Sequence, residues 1–361
     1  MIRLLIVDDS ALMRRFLGRI FEAEADFEIA SARDGAEALL LMPAFRPDVV
    51  TLDVTMPNMD GLTCLDRIMI EYPCPVVMVS ALTAQGAEET LRALQIGAVD
   101  FIPKPQGTIS LHAEELAPLI VERIRAAAAI RVRTSRRLAE RIRYKADANP
   151  SRAASGQDRA ALGATPRLPS GCVVLVGAST GGPPALDAVL TALPAEFNWP
   201  IVVAQHMPAS FTGPLSRRLD KLCALSVTEV TQPTRLEPGQ VYIGKGDADL
   251  LLTRRNNGLV VISAPADPLH RWHPSVDRLV RSALSHLPPD RLVGLLMTGM
   301  GNDGAAAMAE LKALGGHTIA EAEETAAVWG MPGALVKLGG AADVIRLPGI
   351  GSRLLELAQW R

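Results

Sequence analysis

The sequence predicts an α/β protein made of two doubly wound parallel-sheet domains. Three observations lead to that class. Short β-rich runs alternate with helical patterns in both halves of the chain. Polar residues recur at the carboxyl ends of those runs. A stretch without any period separates the halves, in a chain whose 361 residues exceed one ordinary core. The expected boundaries are a first domain over 1–125, a basic helix extension and flexible linker over 126–169, and a second domain over 170–361.

Composition narrows the class of function. Apolar residues make up 48% and charged residues 21%, a globular balance, and the net charge of −2 gives no field that would recruit nucleic acid or an acidic membrane. No apolar run approaches the roughly 18 residues that a membrane span needs. The N-terminus reaches Asp8 and Asp9 after one short apolar run, which is not a signal peptide. Cys64, Cys74, Cys172 and Cys223 lack metal-ligand spacing and read as small hydrophobes in a reducing compartment. A cytoplasmic monomer that neither binds nucleic acid nor inserts into membranes is expected.

In the first domain the strand candidates are "RLLIVDD", "FEIASA", "DVVTLDV", "PVVMVSA" and "VDFIPKP". Segments with apolar spacing of three and four, such as Asp60 to Tyr72 and Ala84 to Ile96, lie between them, and 111–130 reads as the last helix. "RVRTSRRLAERIRYK" follows, with seven basic residues against Glu140, and reads as a solvated helix extension or an anionic docking site. Ala146 to Pro169 is rich in Ala, Ser, Gly, Pro and Arg and reads as linker. At Gly171 the rhythm returns with "CVVLVGA", "WPIVVAQH", "QVYIGK", "LVVISA", "RLVGLLMTG" and "HTIAEA". Helical patterns cover Pro184 to Leu193, Pro274 to His286 and Ala305 to Leu314.

In a parallel sheet, ligands bind beyond the carboxyl ends of the strands. Asp8, Asp9, Asp53, Ser80 and Lys104 all fall at such ends in the first domain. Clustered carboxylates repel unless a cation joins them, and hard oxygen ligands suit Mg²⁺. A carboxylate can attack a phosphoryl group, and an ammonium and a hydroxyl can then bond the new oxygens. The alternative is a set of polar strand ends with no shared task. "VDDS", "LDVTMPNMDGL", "VSA" and "PKP" resemble the receiver domain of two-component response regulators, a flavodoxin-like fold. That resemblance implies Asp53 as phospho-acceptor, Asp8, Asp9 and Asp53 as Mg²⁺ ligands, and Ser80 and Lys104 as switch and phosphate contacts.

In the second domain "GASTG" fits G-x-S-x-G around Ser179. On this stretch alone a nucleophile, an anion-binding turn and a plain packing turn all stand open. Walker A would need a lysine after the glycines, and the dinucleotide fingerprint is not matched. A serine nucleophile needs a base and the base an orienting carboxylate. Ser179, His206 and Asp303 each follow a strand and so share one sheet edge, whereas His286 precedes a strand and His317 opens one. His270 and His273, in "PLHRWHPS", remain rival bases. The glycines around Met300 and Asp303 let backbone amides approach an oxyanion.

The ordered set "GASTGG", "QHMP", "MTGMGNDGA" and "WGMP" resembles the catalytic domain of the chemotaxis protein-glutamate methylesterases, which also act as protein-glutamine glutaminases. The resemblance covers nearly the whole chain apart from the linker. It implies an α/β methylesterase domain with a Ser179, His206, Asp303 triad and the Thr180 and Met300 backbone amides at the oxyanion. It further implies phosphorylation-activated hydrolysis of γ-glutamyl methyl esters, and deamidation of glutamines, on the cytoplasmic helices of methylated chemoreceptors. A histidine kinase would be the phosphodonor, with Mg²⁺ confined to the receiver and no cofactor in the esterase step. The sequence departs from the pattern at "AEAEETAAV", at "RWHPSVD" and at Thr55, none of them a triad position. The competing readings are a response regulator with a non-catalytic ligand- or partner-binding output domain, and an inactive esterase fold. A DNA-binding output is disfavoured by the βα alternation after Gly171.

Overall fold

The computed structural model describes residues 1–105, 109–130, 171–256 and 258–358. The basic run and the linker expected over 126–169 lie outside the described residues from position 131 onward. The chain divides into two compact units. Among the described residues the strands form three sheets, of five, seven and three strands.

The five-stranded sheet has the order β2-β1-β3-β4-β5, with β1 Ile2–Val7, β2 Phe27–Ala32, β3 Val49–Asp53, β4 Val76–Ser80 and β5 Asp100–Pro103. The β1–β2, β1–β3 and β3–β4 pairs are parallel. Every residue of β3 and β4 is buried, so these strands read as near-continuous apolar runs, broken only by Thr51, with a polar last residue. Helix α1, Ala11–Glu22, turns Met13, Phe16, Leu17, Ile20 and Phe21 inward at helical spacing. Its N-cap Ser10 hydroxyl accepts from the Met13 amide at 3.3 Å. Asp34 caps α2, Gly35–Phe45, and Asp60 caps α3, Gly61–Glu71, in the same way. At Gly61 a Cβ would collide with the Asp53 carbonyl, so the loop after β3 folds back tightly only with glycine there. Helices α4, Ala84–Ile96, and α5, Ile109–Ala128, complete the set within a residue or two of expectation.

The seven-stranded sheet has the order β15-β14-β13-β6-β7-β10-β8. Its strands are β6 Val173–Ala178, β7 Ile201–Gln205, β8 Ser226–Val230, β10 Gln240–Gly244, β13 Leu292–Leu296, β14 His317–Glu321 and β15 Asp343–Ile345. All its pairings are parallel. The chain leaves β6 toward β7 on one side and later leaves β13 toward β14 on the other, so strand order reverses at the adjacent β6 and β13. Helices α6 Gly182–Leu190, α7 Ala209–Leu222, α8 Val276–Leu284, α9 Ala305–Ala313, α10 Met331–Lys337 and α11 Leu347–Leu357 belong to this domain. Leu279, Val280 and Ala283 of α8 and Met308 and Leu311 of α9 enter a core shared with Leu175, Val202 and Leu296.

One expectation needs correction. "LVVISA" does not join the parallel sheet: β12, Gly258–Pro265, pairs antiparallel with β11, Ala248–Arg255, and with β9, Thr234–Arg235. The "NNG" at 256–258 is the kind of turn that favours a hairpin, and Gly258 has the positive φ of 115°. A hairpin strand carries the same short apolar run as a strand in a βα unit, so run length alone does not separate them. Short β8 and β15, and helices α7, α10 and α11, add to the elements expected from the sequence.

The described cysteines are free thiols. Burial pushes Cys64 and Cys74 up to about 12 and Cys172 and Cys223 up to about 11, so they stay protonated and unreactive at neutral pH. Among the described residues no helix is long and apolar enough to cross a membrane.

Candidate active site

The structure brings Asp8, Asp9 and Asp53 of the first domain together. Asp8 and Asp53 are buried, Asp9 is exposed, and one carboxylate oxygen from each lies within 4.8 Å of the others. Asp8 Oδ1 accepts from the Ser10 amide at 2.9 Å. The set offers only hard oxygen donors at short mutual distance, which fits a divalent cation such as Mg²⁺. Ser80, fully buried, donates through its hydroxyl to the Gly86 carbonyl at 3.1 Å, and its own carbonyl accepts from the Lys104 amide at 2.7 Å.

The larger assembly lies at the carboxyl edge of the seven-stranded sheet. Ala178 pairs with Gln205 in the β6–β7 register, so Ser179 and His206 leave neighbouring strands side by side. The His206 amide donates to the Ala178 carbonyl at 3.0 Å and fixes that adjacency. Gln205 Nε2 donates to the Ser179 carbonyl at 3.0 Å and to the His206 carbonyl at 3.2 Å, tying the two turns together.

His206 Nε2 lies 2.8 Å from Asp303 Oδ2, with both side chains buried. The Asp303 carboxylate also accepts from the amides of Val276 at 2.7 Å and Asp277 at 3.1 Å, and from the Ser275 hydroxyl at 3.1 Å. These are the cap and first turn of α8, where free amides and the helix dipole favour an anion. Burial pushes this carboxyl up, but the hydrogen bond from His206 and the two amides outweigh burial and hold it below the usual carboxylate range. A charged Asp303 fixes the proton on Nε2, and Nδ1 of His206 is buried with no hydrogen-bond partner.

Four other histidines lie among described side chains and have different neighbours. His317 opens β14 opposite Val293, at the far edge, and pairs with Asp343 at 2.7 Å. His273 Nδ1 lies 2.9 Å from buried Asp249, which also accepts from the Ser275 amide and from Arg278. His270 lies 3.6 Å from Asp267. His286 follows α8 and its carbonyl accepts from Arg254 at 3.2 Å.

Thr180 and Met300 are nearly buried, and among the described residues neither backbone amide donates a hydrogen bond within the chain. The Ser179 amide is committed to the Thr298 carbonyl at 3.0 Å. A Cβ at Gly299 would sit 2.7 Å from Ser179 Cβ, so the 298–300 turn can reach the serine only with glycine there. Several contributors escaped sequence reasoning. Trp272 stacks on the His206 ring at 5.6 Å and 11°. The α8 amides, Gln205, Thr298 and buried Glu321 were also unread. The helix itself is expected from the pattern over Pro274 to His286, and the Ser-Val-Asp at 275–277, a cap followed by an acid, marks its start.

Two family models match the chain: the CheB methylesterase over residues 174–354 and the response regulator receiver domain over residues 4–114. Protein-glutamate methylesterase/protein-glutamine glutaminase 2 of Rhodopseudomonas palustris is 55% identical over 99% of this chain and 98% of its own length. Protein-glutamate methylesterase/protein-glutamine glutaminase 3 of Rhodospirillum rubrum is 52% identical over 98% of this chain and 95% of its own. Among solved structures, the catalytic domain of Thermotoga maritima CheB methylesterase matches with a TM-score of 0.50 and 38% identity, covering 52% of this chain and 99% of that one. The chain therefore belongs to the protein-glutamate methylesterase/protein-glutamine glutaminase family, with a receiver domain ahead of the methylesterase domain.

Proposed function

We propose that the chain is a phosphorylation-activated hydrolase that removes methyl groups from γ-glutamyl methyl esters, and deamidates glutamines, on the cytoplasmic helices of chemoreceptors. The observation that carries this reading is the buried His206–Asp303 pair at 2.8 Å, set at the sheet edge where Ser179 leaves the neighbouring strand. The names and near full-length identity of the relatives support the substrate class.

Ser179 would be the nucleophile. With Nε2–H donated to Asp303, the lone pair of His206 Nδ1 takes the Oγ proton while Oγ bonds to the ester carbonyl carbon. The Thr180 and Met300 amides, which have no acceptor of their own, would bond the oxygen as it gains charge. Nδ1 returns the proton to the departing methoxide, giving methanol and an acyl-serine. Water attacks that ester with His206 again as base, releasing the glutamate and restoring Ser179. On glutamine the leaving group is ammonia. No cofactor enters these steps.

In the first domain Asp53 would accept the phosphoryl group from a histidine kinase. Asp8, Asp9 and Asp53 would hold Mg²⁺, which when bound neutralises the carboxylates and the transferred oxygens. Lys104 would pair with the phosphoryl charge. The Ser80 hydroxyl points to Gly86, so bonding a phosphoryl oxygen requires it to turn, which biases one face of the receiver. A linker of this length keeps receiver and esterase at high effective concentration, so a modest interface suffices for control. We place the protein in the cytoplasm, where receptor helices and kinase are met.

The test is methanol release from methylated receptor, with and without phosphorylation of the first domain. The reading expects release that rises on phosphorylation; no release in either state would refute it.

A further inference from the structure

Thr298 bonds through every polar atom it has, and two of those bonds reach the Ser179–Thr180 turn from the turn that carries Met300. It follows β13 and is 1% exposed. Its carbonyl accepts from the Ser179 amide at 3.0 Å. Its hydroxyl donates to the Thr180 carbonyl at 2.8 Å and accepts from the Val328 amide at 2.9 Å. Its own amide donates to Oε2 of Glu321 at 2.9 Å. The residue two positions on is Met300, so one side chain ties the Thr180 turn to the Met300 turn.

Glu321 is the unusual partner. It closes β14, is fully buried and faces Thr298 with one oxygen, while Oε1 has no hydrogen-bond partner. Burial pushes its carboxyl up against the opposing pull of the Thr298 amide. A buried acid with so little compensation is costly, and a plain core position would be filled more stably by an apolar side chain. Its carbonyl accepts from Trp329 Nε1 at 2.9 Å, which anchors the same strand end to the "WGMP" segment. Met331 in turn donates to the Gly299 carbonyl at 2.8 Å.

We propose that Thr298, braced by Glu321, is a positioning residue that sets the spacing between the Thr180 and Met300 amides and so governs transition-state stabilisation rather than substrate binding. The inference rests on the oxyanion assignment proposed above. Oxyanion donors act only when held about 2.7–3.1 Å from the developing charge, and losing one outright costs about 10²–10³ in kcat. Displacing both slightly should cost somewhat less.

The test uses the full chain and methylated receptor. Thr298→Val removes the hydroxyl at constant shape, and Thr298→Ser retains it. The valine variant should lose about 10- to 100-fold in kcat with KM within about twofold, and serine should restore most of the loss. Inhibition by a tetrahedral phosphonate analogue should weaken by the same factor as kcat. A merely structural role would lower the active fraction and leave that inhibition constant unchanged. Should Thr298→Val fail to fold, Glu321→Ala is read against the same thresholds, with Glu321→Gln as its rescue. Folded variants with wild-type kcat, or serine as impaired as valine, overturn the inference. Ser179→Ala separates the two levels: if it stays active, the oxyanion assignment itself falls, and if it is dead while Thr298→Val is normal, only the positioning role falls.

Discussion

Two carboxylate sites sit at the carboxyl edges of two parallel sheets, and they are built in opposite ways. Asp8, Asp9 and Asp53 present acceptors to one another within 4.8 Å, an arrangement that a cation and a phosphoryl group would complete. Asp303 is completed from within: one imidazole, two helix amides and a hydroxyl surround it. The same sheet topology supplies both positions, and a helix start donates at each: the Ser10 cap amide of α1 to Asp8, and two first-turn amides of α8 to Asp303. The first site thus presents acceptor oxygens to a ligand, and the second holds one tautomer of His206.

The comparison can be broken most severely at the serine. Ser179→Ala should lower methanol release by about 10⁴–10⁶, since a triad member supplies most of the rate enhancement; activity on methylated receptor checks it, alongside a thermal melt to show the fold is kept. Asp303→Asn should cost about 10³–10⁴ in kcat, because an amide facing Nε2 favours the wrong tautomer. His317→Ala, which disturbs only a pair with Asp343 at the far edge, should retain most activity in the same assay. Asp53→Ala should leave the esterase at its basal rate and unresponsive to a phosphodonor. The lost response corresponds to a coupling of about 1–3 kcal/mol, or about 5- to 150-fold.

The smallest effect concerns pH. Glu321 has a native pKa raised above its unfolded value near 4.5. Its stabilising contribution as a neutral acid is therefore full below about 4.5 and is lost as pH rises through the raised native value. Glutamine cannot ionise, so the melting temperature of Glu321→Gln relative to wild type should climb with pH above 4.5 and then level off. Asp303 carries the opposite sign: its native pKa is lowered, so its contribution is present above about 3.8 and lost below as the carboxyl protonates. A flat difference between Glu321→Gln and wild type across that range would contradict the burial argument.

Much of this was legible in the sequence. Apolar runs ending in a polar residue locate strands and their functional edge together, which is why Asp53, Ser80, Ser179 and His206 could be placed before any coordinates. Asp303 needed only one more step, since it lies a short glycine-rich turn beyond β13. The bracing residues were not legible. Val276 and Asp277 act through backbone amides, which carry no side-chain signature, and Thr298 acts by joining segments 118 residues apart. Trp272, stacked on His206, sits in a loop that Asp249 of β11 binds at His273 and Ser275, a contact between distant segments that no local pattern marks. The antiparallel hairpin was missed because run length alone does not distinguish a hairpin strand from one in a βα unit.

The central claim is that Ser179 is the atom donor to a covalent acyl-enzyme formed beside His206 and Asp303. The most direct measurement is mass spectrometry of the intact chain and its peptides after reaction with an active-site-directed phosphonate ester. The account predicts a single adduct on the peptide containing Ser179, absent in Ser179→Ala and slowed by orders of magnitude in His206→Ala. Labelling that persists undiminished in Ser179→Ala, or that settles on a different residue, would contradict it.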